Sequence, residues 1–216
     1  MLKQIPNALT LLRLILAPVI AWMWWMGAAP MSRPDFAEAW LRDAANWRMA
    51  AAITFVIAAL TDLFDGMLAR ALDAHSKFGR LIDPIADKAL VGLPLIVIAA
   101  GMWANGYSAW PIVALAAAVI VIRDITMTWL RLASPDGEGA RVSSLAKIKT
   151  ALELVVIGSL FVTTAVVSQA QTSNPAPLDF TPYIAMFETI WLFLLVVTAA
   201  LSAWTAYNYL APRRRT

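Results

Sequence analysis

Leu14–Ser32, LILAPVIAWMWWMGAAPMS, runs for nineteen residues without a charge, between Arg13 and Arg33. A helix rises about 1.5 Å per residue, so about 20 such residues cross the hydrocarbon core of a bilayer. The run is long for the apolar region of a secretory leader. Five more apolar stretches follow it, so it is read as a retained first helix. The spans are predicted at roughly 8–28, 48–68, 86–103, 109–130, 150–169 and 182–206.

Composition points the same way. Of 216 residues, 61% are hydrophobic and 14% charged, and the mean hydropathy is +0.69. A soluble domain carries about 25% charged residues and could not hide this much apolar surface. The predicted fold is all-α: one polytopic membrane domain over residues 1–216 with six transmembrane helices. The chain has no Cys and one His, His75, which excludes disulfides, thiolate zinc sites and multi-histidine metal sites.

Charge placement predicts the orientation. With the N-terminus inside, the inner segments hold Lys3, Arg13, Arg70, Lys77, Arg80, Lys88, Arg131, Arg141, Lys147, Lys149 and Arg213 to Arg215. The outer segments hold Arg33, Arg42 and Arg48, offset by Asp35, Glu38 and Asp43. Basic residues collect on the cytoplasmic side, so both termini are expected there. The partner implied is a lipid bilayer, with no nucleic acid, and Arg213 to Arg215 reads as a headgroup-binding tail. Met31 to Trp47 reads either as an amphipathic helix flat on the outer surface or as an ordinary loop. Gln169 to Pro182 reads as an outer loop.

The carboxylates are the anomaly. A charge near the bilayer centre costs about 2.5–3.5 kcal/mol even on the lenient insertion scale. Yet Asp62 and Asp65 lie toward the inner end of the second helix, and Asp83 and Asp87 toward that end of the third. At about 100° per residue, Asp62, Asp65, Gly66, Ala69 and Arg70 share one face. Gly79, Asp83 and Asp87 share another at i, i+4 and i+8. A short connection makes the two helices antiparallel neighbours, and their faces are expected to meet. Four converging carboxylates repel one another, so something cationic has to sit among them. Hard oxygen donors without His or Cys select Mg²⁺, Mn²⁺ or Ca²⁺, and paired divalent ions suit phosphoryl chemistry. Arg70 can hold phosphate there. The competing reading is a structural ion-pair cluster in which Arg70, Arg80 and Lys88 neutralise the acids. Glu153 and Glu188, inside predicted spans, also need partners that the sequence does not assign.

The whole run, Asp62-x2-Asp65-Gly66-x2-Ala69-Arg70-x8-Gly79-x3-Asp83-x3-Asp87, resembles the motif of the CDP-alcohol phosphotransferase family at every specified position. The resemblance extends to Ile5-Pro6-Asn7-x2-Thr10-x2-Arg13, to Phe78-Gly79-x2-Ile82-Asp83-Pro84-x2-Asp87-Lys88, to Arg123-Asp124-Ile125 and to Ala146-Lys147-Ile148-Lys149-Thr150. These runs are similar to the branch that makes phosphatidylglycerophosphate and cardiolipin. The resemblance implies a six-helix, homodimeric membrane enzyme that transfers the phosphatidyl group of CDP-diacylglycerol to an alcohol and releases CMP. It implies two divalent ions, Mg²⁺ or Mn²⁺, on Asp62, Asp65, Asp83 and Asp87, with Asp87 also the general base. By the same resemblance, CDP-diacylglycerol would contact Asn7, Thr10, Gly66, Ala69, Arg70, Ser76 and Gly79. Asn7, following Pro6, also reads as a cap of the first helix.

Glycerol 3-phosphate is the expected acceptor. A small dianion needs two or three cations with forked donors, and Arg123, Arg131 and Lys147, with Ser144, are the candidates. Membrane anchoring is the alternative for Arg131 and Lys147, and an internal pair with Asp124 or Glu153 is the alternative for Arg123. The pair Arg123-Asp124 stands where the synthases of the branch have Arg-Glu and is more typical of cardiolipin synthases. That keeps phosphatidylglycerol open as acceptor. A transporter with an acidic ion site is the remote alternative: it calls for midplane carboxylates and repeats, and neither is visible. An N-terminus unlike a transit peptide points to a bacterial inner membrane.

Overall fold

The computed structural model describes residues 5–28, 37–72, 77–133, 144–173 and 179–210. Within them, side chains are described except at 5–7, 37–39, 63–72, 77–81, 131–132, 144–147 and 210. Six helices account for nearly all of it: α1 (Ile5–Ala28), α2 (Ala37–Leu72), α3 (Lys77–Ala104), α4 (Trp110–Ala133), α5 (Ser144–Ser173) and α6 (Thr181–Leu210). All six are long and apolar enough to cross a membrane, and the described residues contain no strand. The protein is an integral membrane protein.

Each helix buries a narrow stripe and leaves the rest apolar and outward. On α1 the stripe is Thr10, Arg13, Ala17, Ile20, Trp24 and Gly27. The alternating steps of three and four keep these residues on one side of a 3.6-residue helix. On α4 it is Val113, Ala116, Ala117, Ile120, Asp124 and Met127. Outside the stripes Leu115, Ile122, Trp129, Phe193 and Trp204 face outward. In water such exposure would be a liability, but lipid tails are as apolar as these side chains.

The helices form a closed ring in the order α1, α2, α5, α6, α4, α3. Small residues set its spacing. Where α1 meets α2, a Cβ on Gly27 would lie 2.7 Å from Arg48 Cγ and 3.1 Å from the Ala44 carbonyl oxygen. At the centre Phe161 of α5 stacks on Trp24 of α1, with ring centroids 4.2 Å apart, and packs at 5.3 Å against Phe55 of α2. The Trp191 indole N–H donates to the Val156 carbonyl at 2.8 Å and ties α6 to α5. Several hydroxyls along the spans bond within their own helix, as where Thr164 donates to Leu160 O at 2.6 Å and Thr198 to Leu194 O at 2.7 Å. At the end opposite the termini, the Asn105 amide donates to the Ala28 carbonyl at 2.8 Å, pinning the end of α1 to the α3–α4 turn.

Two expectations are corrected here. Residues 37–47 of the Met31–Trp47 segment form neither a separate surface helix nor a loop: they are the first turns of α2, whose apolar stretch begins at Trp40. Gln169 to Ser173 likewise continue α5, and the described part of the α5–α6 connection is Asp179 and Phe180. Hydrogen bonding from Thr181 holds the exposed Asp179 carboxyl below the usual carboxylate range at the start of α6. The second correction concerns neighbours. Among the described residues α2 and α3 touch little, α1 packs closely against both, and their carboxylates Asp62 and Asp87 meet on Arg13 of α1. The buried stripe of α1, Thr10 to Gly27, lies between them.

Candidate active site

Because α1 lies between α2 and α3, it delivers two side chains into the acidic constellation. Thr10 Oγ1 donates to Asp83 Oδ1 at 2.5 Å. Arg13 sends one guanidinium nitrogen, Nη1, to two carboxylates, Asp62 Oδ1 and, at 2.6 Å, Asp87 Oδ1. Arg13 is three turns of stripe away from Trp24 and almost wholly buried. The cation that the carboxylates require is therefore supplied from the chain. Asp62, Asp83 and Asp87 meet around the start of α1.

Asp65, Gly66, Ala69 and Arg70 lie on α2 and Gly79 on α3, at the same end as this cluster. Their side chains, and residue Ser76, lie outside the described residues. So do the side chains of Arg131 on α4 and of Ser144 and Lys147 on α5. Asn7 stands in the first turn of α1, which already begins at Ile5, so it does not hold the cap position. Among the described residues, no group of three acidic or histidine side chains is close enough to enclose a metal ion. Two carboxylate oxygens nevertheless converge on one nitrogen cation, and the donors are hard oxygens. This is the donor chemistry that Mg²⁺ or Mn²⁺ takes, so the residues fit the ions that the resemblance implies.

A second charged cluster adjoins the first, reached through the neighbour of Asp87 on α3. Lys88 Nζ lies 3.0 Å from Asp124 Oδ2. The other oxygen of Asp124 takes Lys149 Nζ at 2.6 Å and Arg123 Nη1 at 2.8 Å. Arg123 Nη2 continues to Thr205 Oγ1 on α6 at 3.1 Å, and Lys149 pairs with Glu153 at 2.8 Å, one turn along α5. One buried carboxylate thus joins α3, α4 and α5 directly and α6 through Arg123. Burial of so many charges is tolerable because each is paired with an opposite charge.

Arg123, expected in the acceptor pocket, is held internally by Asp124 and Thr205, the pairing with Asp124 being the alternative read from the sequence. Glu153 has its partner in Lys149, while Glu188 is exposed on α6. Sequence reasoning assigned no site role to Arg13, Lys88, Asp124 or Lys149. The signal was available for Lys149 and Glu153, an i, i+4 pair of opposite charge inside an apolar run. It was also available for Asp124, a charge at membrane depth.

The sequence profile of the CDP-alcohol phosphatidyltransferase family matches residues 3–204. A Cereibacter sphaeroides protein named CDP-diacylglycerol–glycerol-3-phosphate 3-phosphatidyltransferase is 38% identical over 163 residues. That alignment covers 74% of this chain and 64% of the relative, so it leaves more than a third of the relative unmatched. Proteins of the same name from Shigella flexneri and Escherichia coli K12 are 29% identical over 214 residues, 98% of this chain and 95% of theirs. A match over nearly the whole ring of helices, including both charged clusters, leaves one conclusion: the chain belongs to the CDP-alcohol phosphatidyltransferase family.

Proposed function

We propose that this protein transfers the phosphatidyl group of CDP-diacylglycerol to glycerol 3-phosphate, giving phosphatidylglycerophosphate and CMP. The observation that carries the proposal is the pair of adjoining clusters at one end of the ring. An acidic one at Asp62, Asp83 and Asp87 stands beside a cationic one at Lys88, Arg123 and Lys149. The first suits proton transfer and pyrophosphate chemistry, the second a phosphate-bearing acceptor.

In the reaction, the acceptor hydroxyl oxygen bonds to the phosphorus that carries the diacylglycerol. The bond from that phosphorus to the bridging oxygen breaks, and CMP leaves with the electron pair. Asp87 takes the hydroxyl proton. Its carboxylate is within reach of solvent and is oriented by Arg13. Thr10 orients Asp83 in the same way. The family is generally dependent on divalent metal. Asp62, Asp65, Asp83 and Asp87 would hold two such ions, Mg²⁺ or Mn²⁺, which when bound supply charge neutralisation for the pyrophosphate and the departing CMP. Asn7, Gly66, Ala69, Arg70, Ser76 and Gly79 complete the nucleotide side of this reading, and Arg131, Ser144 and Lys147 the acceptor side. A homodimer in a bacterial inner membrane, with this end cytoplasmic, belongs to the same proposal.

Phosphatidylglycerol was the rival acceptor because Asp124 follows Arg123. Asp124 is buried and occupied by three cations, so its identity reports the packing of helices and not contact with an acceptor. The names of the relatives favour glycerol 3-phosphate. The test is CMP release from CDP-diacylglycerol by purified protein in detergent with Mg²⁺ or Mn²⁺, with glycerol 3-phosphate, phosphatidylglycerol or inositol phosphate as acceptor. Release dependent on glycerol 3-phosphate is expected. Asp87→Asn should lower kcat by about 10²–10⁴-fold, the contribution of a positioned general base. Release with phosphatidylglycerol alone would transfer the protein to the cardiolipin branch.

A further inference from the structure

The three cations around Asp124 differ in what they can reach. Lys149 is sealed, with its side chain 0% exposed and spent on Asp124 and Glu153. Arg123 is 9% exposed, and its two terminal nitrogens are taken by Asp124 and Thr205. The Lys88 side chain is 23% exposed, and in the acidic cluster that adjoins it Asp87 is 38% and Asp62 28% exposed. Exposure thus rises along the chain of charges from Glu153 and Lys149 to Lys88 and the proton-accepting carboxylate. An ammonium has three N–H donors, and among the described residues Asp124 holds Lys88 with one carboxylate oxygen at 3.0 Å.

We infer that Lys88 is a direct cation for the acceptor's phosphate, and that Asp124 is the positioning residue that holds it there. The inference rests on the reaction proposed above and names a contact in it. The acceptor's hydroxyl has to reach Asp87, and only a three-carbon backbone separates that hydroxyl from its phosphate. A cation for the phosphate must therefore stand close to Asp87 without competing for the proton. Lys88 is the next residue in the chain, and Asp124 of α4 holds its ammonium at 3.0 Å. The charges balance as well. Lys88, Arg123 and Lys149 against Asp124 and Glu153 leave one positive charge in the cluster, and Lys88 is the member of it with access to a ligand.

Steady-state kinetics of CMP release separate this assignment from a purely structural ion pair. Glycerol 3-phosphate is varied at saturating CDP-diacylglycerol, and then the reverse. Lys88→Met should raise KM for glycerol 3-phosphate by about 10- to 100-fold, the worth of one charge-assisted hydrogen bond. KM for CDP-diacylglycerol should stay within about 2-fold. Lys88→Arg should recover most of the loss. Asp124→Asn should move the same KM in the same direction, and a melting curve with the wild-type midpoint shows that Lys88→Met is folded. An unchanged KM for glycerol 3-phosphate in folded Lys88→Met overturns the assignment, as does an equal rise in both KM values or a failure of Arg to rescue. Those results leave the reaction standing if the wild type releases CMP. A wild type that releases none with glycerol 3-phosphate overturns the reaction and this contact together.

Discussion

Arg13 supplies from the first helix a cation that the sequence reading sought in metal ions or in Arg70, Arg80 and Lys88. Its guanidinium is almost fully buried, and one nitrogen is shared by Asp62 and Asp87. Removing one partner of a buried ion pair costs about 3–5 kcal/mol, and part-exposed carboxylates bring the cost below that range. Arg13→Gln should therefore lower the melting midpoint, and by more in chelator than in saturating Mn²⁺, because bound ions would neutralise the same carboxylates. Thermal unfolding in detergent under the two conditions measures the difference. An equal shift in both would mean that Arg13 and the metal do not share a task. The acidic residues were legible because each is costly where it stands. Arg13 was not, because an arginine near a helix end reads equally well as a positive-inside anchor.

Among the elements, the sequence shows which residues need burial and not what buries them. The apolar periodicity of α1 marks its stripe, yet the same stripe could face any neighbour of suitable shape. Only the packed structure shows α1 between α2 and α3, with Gly27 set tightly against α2. A Cβ there meets the flexible Arg48 stem, which can move, and two backbone atoms, Ala44 O and Arg48 N at 3.1 Å, which move only with the helix. Gly27→Ala should thus cost about 1–3 kcal/mol as an overpacking change, and Gly27→Leu more. Both should also raise KM for CDP-diacylglycerol, since a tilted α1 withdraws Thr10 and Arg13 from the carboxylates. Melting and kinetics on the same preparations check the link. An unfolding loss with unchanged kinetics would show that the register of α1 is not what sets the site. The start of α2 was illegible for a related reason. Residues 37–47 mix charges with Trp and Leu, and such a mixture belongs to a helix entering the headgroup layer as readily as to one lying on it.

For the whole molecule, the number of helices decides which features share a side of the membrane. Six crossings return the chain to the side where it began. The start of α1, the end of α2, the start of α3, the end of α4, the start of α5 and the end of α6 therefore lie together. Thr10, Arg13, Asp62, Asp83, Asp87, Lys88, Arg123, Asp124, Lys149, Glu153 and Thr205 all occupy that end. Locating one terminus thus locates the site. The charge distribution predicts the cytoplasm, where soluble glycerol 3-phosphate is available and CMP can leave. The chain lacks cysteine, so single cysteines give unambiguous reports. Gly106→Cys would report the turn after α3, although its positive φ of 70° makes a side chain there strained. Ser108→Cys, exposed in the same turn, avoids that strain. In intact cells a membrane-impermeant maleimide should label Ser108→Cys and leave Thr216→Cys unlabelled until the membrane is opened. The reverse pattern would put the carboxylates and Lys88 on the outer face, and the positive-inside reading would fail with it.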